Sequence, residues 1–203
     1  MEELKFRIKP YWSDNTVSAM DIYAEMSADI VKGKEPAMDF CSDAWENLVP
    51  FPKCDGLEVS DDFGKLPFEI KESPSNWGGI NYKGLYFKRE AKGKICYKYR
   101  IYPRILPDGF RASPYYDFRN EPYGLNGSGC FAFILPNTTE KLMFDLQWNM
   151  DEMPEGTDAV WSYGKGNTQT ELTPWDIRFT FFACGLLECE EENDFGIYWF
   201  GNP

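Results

Sequence analysis

The chain has no histidine among its 203 residues. That absence removes the Ser-His and Cys-His nucleophile pairs, the HExxH zinc helix and every imidazole general base, so most hydrolytic chemistry is excluded from this chain. Long apolar runs are missing too. None approaches the roughly 20 residues of a membrane-spanning helix, and the opening MEELKFRIKP lacks the cationic and apolar segments of a secretory leader. The expectation is a soluble, untargeted, cytoplasmic chain with no membrane partner. Positive charge is scarce: 21 Lys and Arg stand against 33 Asp and Glu. The resulting net charge of -12 repels phosphate backbones and anionic lipid heads, which argues against nucleic acid as a partner. Six cysteines, Cys41, Cys54, Cys96, Cys130, Cys184 and Cys189, form neither a CxxC pair nor a dense framework. That is the pattern of reduced, mostly buried thiols.

Apolar surface is abundant, with 43% hydrophobic and 17% aromatic residues, far more than a disordered chain carries. Period-two alternation recurs from end to end, the mark of half-buried antiparallel strands. In KLMFDLQWNM, Leu142, Phe144, Leu146, Trp148 and Met150 share one face, and Lys141, Asp145, Gln147 and Asn149 the other. ICYKYRIY sets Ile95, Tyr97, Tyr99 and Ile101 against Lys98 and Arg100, and IRFTFFA sets Ile177, Phe179 and Phe181 against Arg178 and Thr180. LKFRI and MDIYAEMSADI alternate likewise, and in the second the pattern outweighs the helical propensity of Ala, Met and Glu. Further strands are expected over 57–59, 66–70, 85–89, 131–135 and 195–200, with one short helical turn at Ser42 to Leu48. Turn chemistry falls at Asp61-Asp-Phe-Gly, Lys92-Gly-Lys, Pro107-Asp-Gly, Asn126-Gly and Pro154-Glu-Gly. Asn126 and Asn137, which open glycosylation-type triplets, are read as turn residues, and 103–129 as a long loop or a crossing between sheets. The fold class that follows is all-β, mainly antiparallel and sandwich-like, with long loops and at most one or two short helices, in a single domain over 1–203.

Several constellations invite a functional reading. The acidic run ECEEENDFG, 188 to 196, offers carboxylates to a hard cation but lacks the ligand spacing of an EF-hand, and a solvated hairpin loop is the plainer account. Asp145, Asp151 and Glu152 supply two carboxylates of the kind glycoside hydrolysis needs, although the alternation makes Asp145 an ordinary surface acid. Tyr115, Tyr116, Phe118 and Tyr123 could stack on sugar rings or pack down as a lid over the core. Gly164-Lys-Gly is too sparse for a phosphate-cradling loop, so its glycines are assigned to a bend and Trp161 to the interior.

From about Leu57 onward the order of features is similar to a known family. GLEVSDDFGKLPFEI, GLYFKREAKGKICYKYRIYP, GSGCFAFILP, FDLQWNMDEMPEGTDAVWSYGKG and FTFFACGLLE together resemble the N-terminal domain of the PDZ-containing glycyl aminopeptidases, family sixty-one of the zinc metallopeptidases. The resemblance implies a non-catalytic scaffold that walls part of a peptide cleft, ahead of a thermolysin-like zinc domain. It implies no cofactor here, since zinc belongs to that separate domain and no zinc ligand or catalytic glutamate maps onto any position. The implied partners are the downstream peptidase domain and a peptide substrate at the domain interface, whose free amino terminus an acidic wall would attract. Trp161, Tyr163, Tyr198, Trp199 and Phe200 are the candidate contact residues, and an aromatic patch there would favour weak self-association. The chain reads as a detached N-terminal domain without peptidase activity of its own. An independent carbohydrate- or protein-binding sandwich is the alternative.

Overall fold

A computed structural model of the chain describes residues 1–44, 49–50, 53–77, 79–104, 118–192 and 195–200, leaving aside the side chains of 43–44, 49–50, 53–54, 75–77, 189–192 and 195–200. Alternation dominates from the start. Leu4, Phe6 and Ile8 on β1 (Glu3–Ser13) are fully buried, as are Met20 and Ala24 on β2 (Thr16–Ser27). The second strand carries Ala, Met and Glu without becoming helical, because its alternate side chains have an apolar core to enter. One 3-10 turn follows at Ala28–Val31, then β3 (Met38–Ala44), β4 (Val49–Pro50), β5 (Lys53–Asp61), β6 (Gly64–Lys65), β7 (Phe68–Trp77), β8 (Ile80–Phe87) and β9 (Lys94–Tyr102). Then come β10 (Phe118–Glu121), β11 (Gly124–Ser128), α1 (Gly129–Ala132), β12 (Leu135–Pro136) and β13 (Leu142–Trp148). The rest comprises β14 (Asp158–Trp161), β15 (Gly164–Lys165), β16 (Thr168–Leu172), α2 (Pro174–Arg178), β17 (Phe181–Gly185), β18 (Leu187–Glu192) and β19 (Phe195–Phe200).

These strands make a seven-stranded sheet in the order β16-β13-β1-β2-β9-β5-β6, a five-stranded sheet β10-β11-β17-β14-β15, another five-stranded sheet built on β12-β3-β8-β7 with β4 beside β3, and the separate hairpin β18-β19. Pairing is antiparallel throughout the named strands except between β1 and β13, which run parallel from Glu3 opposite Met143 to Ile8 opposite Trp148. One continuous apolar cluster joins the three large sheets, from Leu4, Phe6 and Ile22 through Tyr82 and Leu85 to Trp161 and Phe182. The all-β, sandwich-like class expected from the alternation is what the chain adopts, with two short helices among the described residues.

The sequence reading needs correction at five places. Residues 131–135 are expected as a strand, yet Gly129–Ala132 make a helical turn and only Leu135 and Pro136 pair as strand. All of 129–135 is buried, so no polar side alternates with an apolar one. The segment threads through the core instead, where the Tyr97 and Tyr99 hydroxyls donate to the carbonyls of Ile134 and Ala132, both at 2.7 Å. Residues 177–181 are not one strand either. Thr173 caps α2 in a reciprocal box with Asp176, Pro174 opens the helix, and the strand begins only at Phe181. Asn126-Gly lies inside β11, opposite Arg119 and Ala183, so the expected turn is a strand and the end of 103–129 is a hairpin. Ser42 to Ala44 belong to β3, the rest of that expected helical turn (45–48) lying outside the described residues. Asp145 is 3% exposed and is no ordinary surface acid, because Lys5 and Gln147 close over it. Pro107-Asp-Gly lies outside the described residues.

Candidate functional site

The outer face of the seven-stranded sheet gathers cations within an acidic chain. Register sets them in rows. Lys9, Asp21, Arg100 and Asp55 stand opposite one another across β1, β2, β9 and β5, and Arg7, Tyr23, Lys98 and Glu58 form the row beside them. The register shifts between Asp55 and Glu58, where Gly56 takes φ 69, and this bulge borders a depression of about 440 Å³ whose walls include Arg7, Lys9, Asp21, Tyr23, Asp55 and Arg100.

Its polar groups are matched to one another. Arg100 grips Asp21 through Nε and Nη2 at 2.5 and 2.7 Å, the Tyr11 hydroxyl donates to the same carboxylate at 2.8 Å, and the guanidinium lies 4.5 Å from the Tyr11 ring centre. The Arg100 bonds, reinforced by Tyr11 and opposed by burial, hold the Asp21 carboxyl below its ordinary range. Lys98 meets Glu58 at 3.0 Å and Lys9 meets Glu152 at 3.1 Å. A face of satisfied pairs orients a neighbour through complementary charge.

The carboxylates read as a glycosidase pair are engaged in the same way. Asp145 meets Lys5 at 3.2 Å and accepts from Gln147 at 3.0 Å. Glu152 is held by Lys9, and Asp151 sits in the turn after β13. Of the aromatics considered for sugar stacking, Phe118 is fully buried, 6.4 Å from Phe182. Tyr123 occupies a hairpin turn at φ 66, and Tyr115 and Tyr116 lie outside the described residues.

The candidate contact residues divide. Trp161 is 5% exposed and packs its ring 5.2 Å from Phe144 and 5.0 Å from Tyr163, which is 47% exposed at the β14–β15 turn. Trp161 therefore supports Tyr163 from the core side. The backbone of Tyr198, Trp199 and Phe200 pairs with that of Cys189, Glu188 and Leu187 in the β18–β19 hairpin, while their side chains lie outside the described residues. Leu187 anchors the hairpin against Val160 and Ala183. On β14, Ala159 and Trp161 belong to the main core and Val160 to this smaller cluster, so Trp161 and Leu187 serve opposite faces of one sheet.

A second polar group lies inside the molecule and was not legible in the sequence. Asp39 on β3 and Arg178 on α2, 3% and 5% exposed, form an ion pair, and the Arg178 guanidinium sits 4.9 Å from the Tyr82 ring centre. Two fully buried thiols, Cys130 on α1 and Cys41 on β3, belong to the same core. Gly129 brings α1 against α2: a Cβ there would lie 2.0 Å from the Ile177 carbonyl oxygen. Among the described residues, no three His, Cys, Asp or Glu side chains form a metal-binding group.

No protein-family model matches the chain and no curated protein sequence does. Its structure is similar to that of an aminopeptidase N family protein from Idiomarina loihiensis, with a TM-score of 0.60 and 13% identity, over 96% of this chain and 31% of that one. An M1 zinc metallopeptidase from Deinococcus radiodurans gives a TM-score of 0.46 at 9% identity, over 97% of this chain and 46% of the other. Leukotriene A4 hydrolase from Saccharomyces cerevisiae gives 0.48 at 9% identity, over 97% and 30%. At these identities the common ground is the fold, and the first superposition alone is close enough to carry it. The chain spans about a third of that protein's length.

Proposed function

We propose that this chain is a non-catalytic scaffold domain of a zinc aminopeptidase-like protein, forming one wall of the cleft in which a separate peptidase domain holds its substrate. The observation that supports this most is the likeness to an aminopeptidase N family protein, which runs through 96% of the chain at a TM-score of 0.60. The lack of histidine agrees with a division of labour in which the metal is held elsewhere. Cysteine, aspartate and glutamate are the donors this chain has for zinc, and the described ones do not converge, so no residue here is assigned as a ligand. The narrower resemblance, to the glycyl aminopeptidases, names a branch within the same reading. Tyr163, backed by Trp161, and the β18–β19 hairpin with Tyr198, Trp199 and Phe200 are the proposed contacts with the peptidase domain. A cytoplasmic location with reduced thiols fits this role, as does weak self-association through the same aromatics.

Two measurements test it together: the coding sequence beyond Pro203 is read, and the tagged chain is used to capture partners from its own cells. An in-frame HExxH segment, or capture of a zinc peptidase domain that Tyr163→Asp weakens, is the expected result. A stop codon at that point, together with capture of no peptidase, overturns the reading. Glycan binding without peptidase binding would replace it with an independent sugar-binding module.

A further inference from the structure

The β12-β3-β8-β7 sheet ends in an open edge. β7 pairs with β8 on one side, and among the described residues no strand lies on its other side. The ladder is regular from Phe68 opposite Phe87 to Glu72 opposite Lys83, and the register shifts between Glu72 and Asn76. Just before this stretch the Lys88 amide donates to the Pro67 carbonyl at 2.9 Å. Hydrogen-bonded pairs recur at every second position of an antiparallel ladder, so Glu69 and Lys71 direct their backbone groups to β8. Phe68, Ile70 and Glu72 direct theirs outward. The Tyr86 hydroxyl covers the Glu72 carbonyl at 3.1 Å, which leaves the N–H and C=O of Ile70 at the centre of the edge. Sheet edges are commonly blunted by proline, a bulge or charged side chains. Pro67, Pro74 and the register shift bracket this one, and the charges between them are of both signs.

Those charges are complementary to themselves. When Phe-Glu-Ile-Lys-Glu, 68 to 72, is turned about a twofold axis at Ile70, Glu69 of one copy faces Lys71 of the other, Lys71 faces Glu69, and Ile70 faces Ile70. Ile70, with its backbone groups outward, exchanges both N–H···O=C bonds with its twin, and Glu69 and Lys71 fall at the flanking positions where opposite side chains approach most closely. Within one chain Glu69 already meets Lys71 at 2.8 Å and Lys88 at 2.9 Å. The twofold copy therefore completes a ring of four alternating charges on one face. On the other face Ile70, 46% exposed, meets its twin and withdraws apolar surface from water. Parallel pairing in register would set like charges side by side, so the pattern selects the antiparallel mode.

We propose that the β7 edge is a homodimerisation surface, through which two copies of this chain join antiparallel over Phe68–Glu72 and merge their β12-β3-β8-β7 sheets into one. The contact is isologous and closes on itself, so it yields a dimer and no filament. Main-chain bonds supply attraction and the alternating side chains fix the register. The surface belongs to a different sheet from the β14–β15 turn that carries Tyr163, and it stands whether or not the chain serves a peptidase.

Sedimentation velocity is run over a wide range of concentration in about 150 mM salt, where charges more than roughly 8 Å apart are screened and the repulsion of two acidic copies is subdued. Expected is conversion to a particle of twice the mass as concentration rises, with amide exchange in a peptide covering 66–73 slowing in step. Ile70→Pro deletes the outward N–H and no bond to β8, so it should abolish the dimer and leave the circular dichroism spectrum unchanged. Lys71→Glu or Glu69→Lys alone replaces two attractive cross-strand pairs by two repulsive ones and should weaken the dimer about tenfold. The double variant Glu69→Lys/Lys71→Glu restores complementarity and should regain most of the affinity, a recovery that general destabilisation would not give. If Ile70→Pro does not fold, the two single reversals and the double variant decide. The proposal fails if the chain stays monomeric throughout, if the single reversals leave the dimer unchanged, if the double variant does not recover, or if Tyr163→Asp dissolves the dimer.

Discussion

Arg100 with Asp21 and Arg178 with Asp39 are the same ion pair in opposite surroundings. On the outer face of the seven-stranded sheet, Arg100 and Asp21 keep side-chain exposures of 39% and 40%, so water shares in stabilising both charges and the pair is cheap to form and cheap to lose. At the junction behind β3 the exposures are 6% and 4%. There each charge has given up its hydration, and the partner, the Tyr82 ring and neighbouring dipoles must replace it. One pair decorates a sheet, whereas the other commits three elements to a single arrangement. An ion pair's weight is therefore set by how much water it excludes, and a contact distance alone says little about it.

The largest expected effect comes from placing a charge with no partner on the inner face of the same sheet. Leu146 is fully buried, so Leu146→Asp should cost more than about 4 kcal/mol and leave the chain unfolded at 25 °C by circular dichroism. One position along the strand, Gln147→Asp faces outward but sets a second carboxylate beside Asp145, whose Oδ2 Gln147 now meets at 3.0 Å. About 1 kcal/mol should be lost there. Equal losses at 146 and 147 would abolish the distinction between the faces.

Arg178→Leu should follow, at about 3–5 kcal/mol in urea unfolding, because Asp39 is left buried and unpaired. Adding Asp39→Leu should restore much of that loss, since no uncompensated charge remains. Failure of the double variant to recover would mean that packing, and not the stranded charge, dominates the junction.

Asp61 is an intermediate case that acid can probe. Its carboxylate, almost inaccessible, accepts from Arg89 at 2.5 and 2.8 Å and from the Phe63 and Lys92 amides at 2.9 Å each. The Arg89 bonds, with the two amides, hold its pKa well below the usual carboxylate range against the opposing effect of burial. A depressed folded-state pKa contributes stability that is fully present above the unfolded value of about 3.9 and is lost as pH falls below it. Asp61→Asn should therefore be less stable than the parent at neutral pH, and the gap should narrow steadily below about pH 4 in acid titrations of stability. A constant gap would remove Asp61 from the acid-sensitive groups.

The smallest effect is expected at the exposed pair. Arg100→Gln should cost less than about 1 kcal/mol, and the cost should shrink further in salt. A loss as large as that of Arg178→Leu would collapse the comparison.

Much of the fold was legible because the alternation coincided with burial. β9 shows it most simply, with Ile95, Tyr97, Tyr99 and Ile101 inside and Lys98 exposed. The alternation misled where something stronger acted locally. Thr173-Pro-Trp-Asp carries the signature of a capped helix start, a signal present in the sequence and overridden by the alternation of the residues after it. Asp145 fell on the side of β13 that the pattern assigned, but the pattern carries no information about what covers that side, and Lys5 comes from a strand paired in parallel.

The sequence by itself determined the class of the molecule: strands from period-two alternation, a net negative charge from composition, and no histidine chemistry from a missing residue type. Each of these is a local or summed property, readable without knowing who neighbours whom. Only the tertiary structure decided that Asp39, Tyr82 and Arg178 meet. The Asp39–Arg178 contact spans 139 positions, and no spacing rule connects residues brought together by the packing of separate sheets and helices. The physical reason is that a charge or a thiol acquires its character from the water it loses and the partners that replace that water, and both are assigned when the layers close.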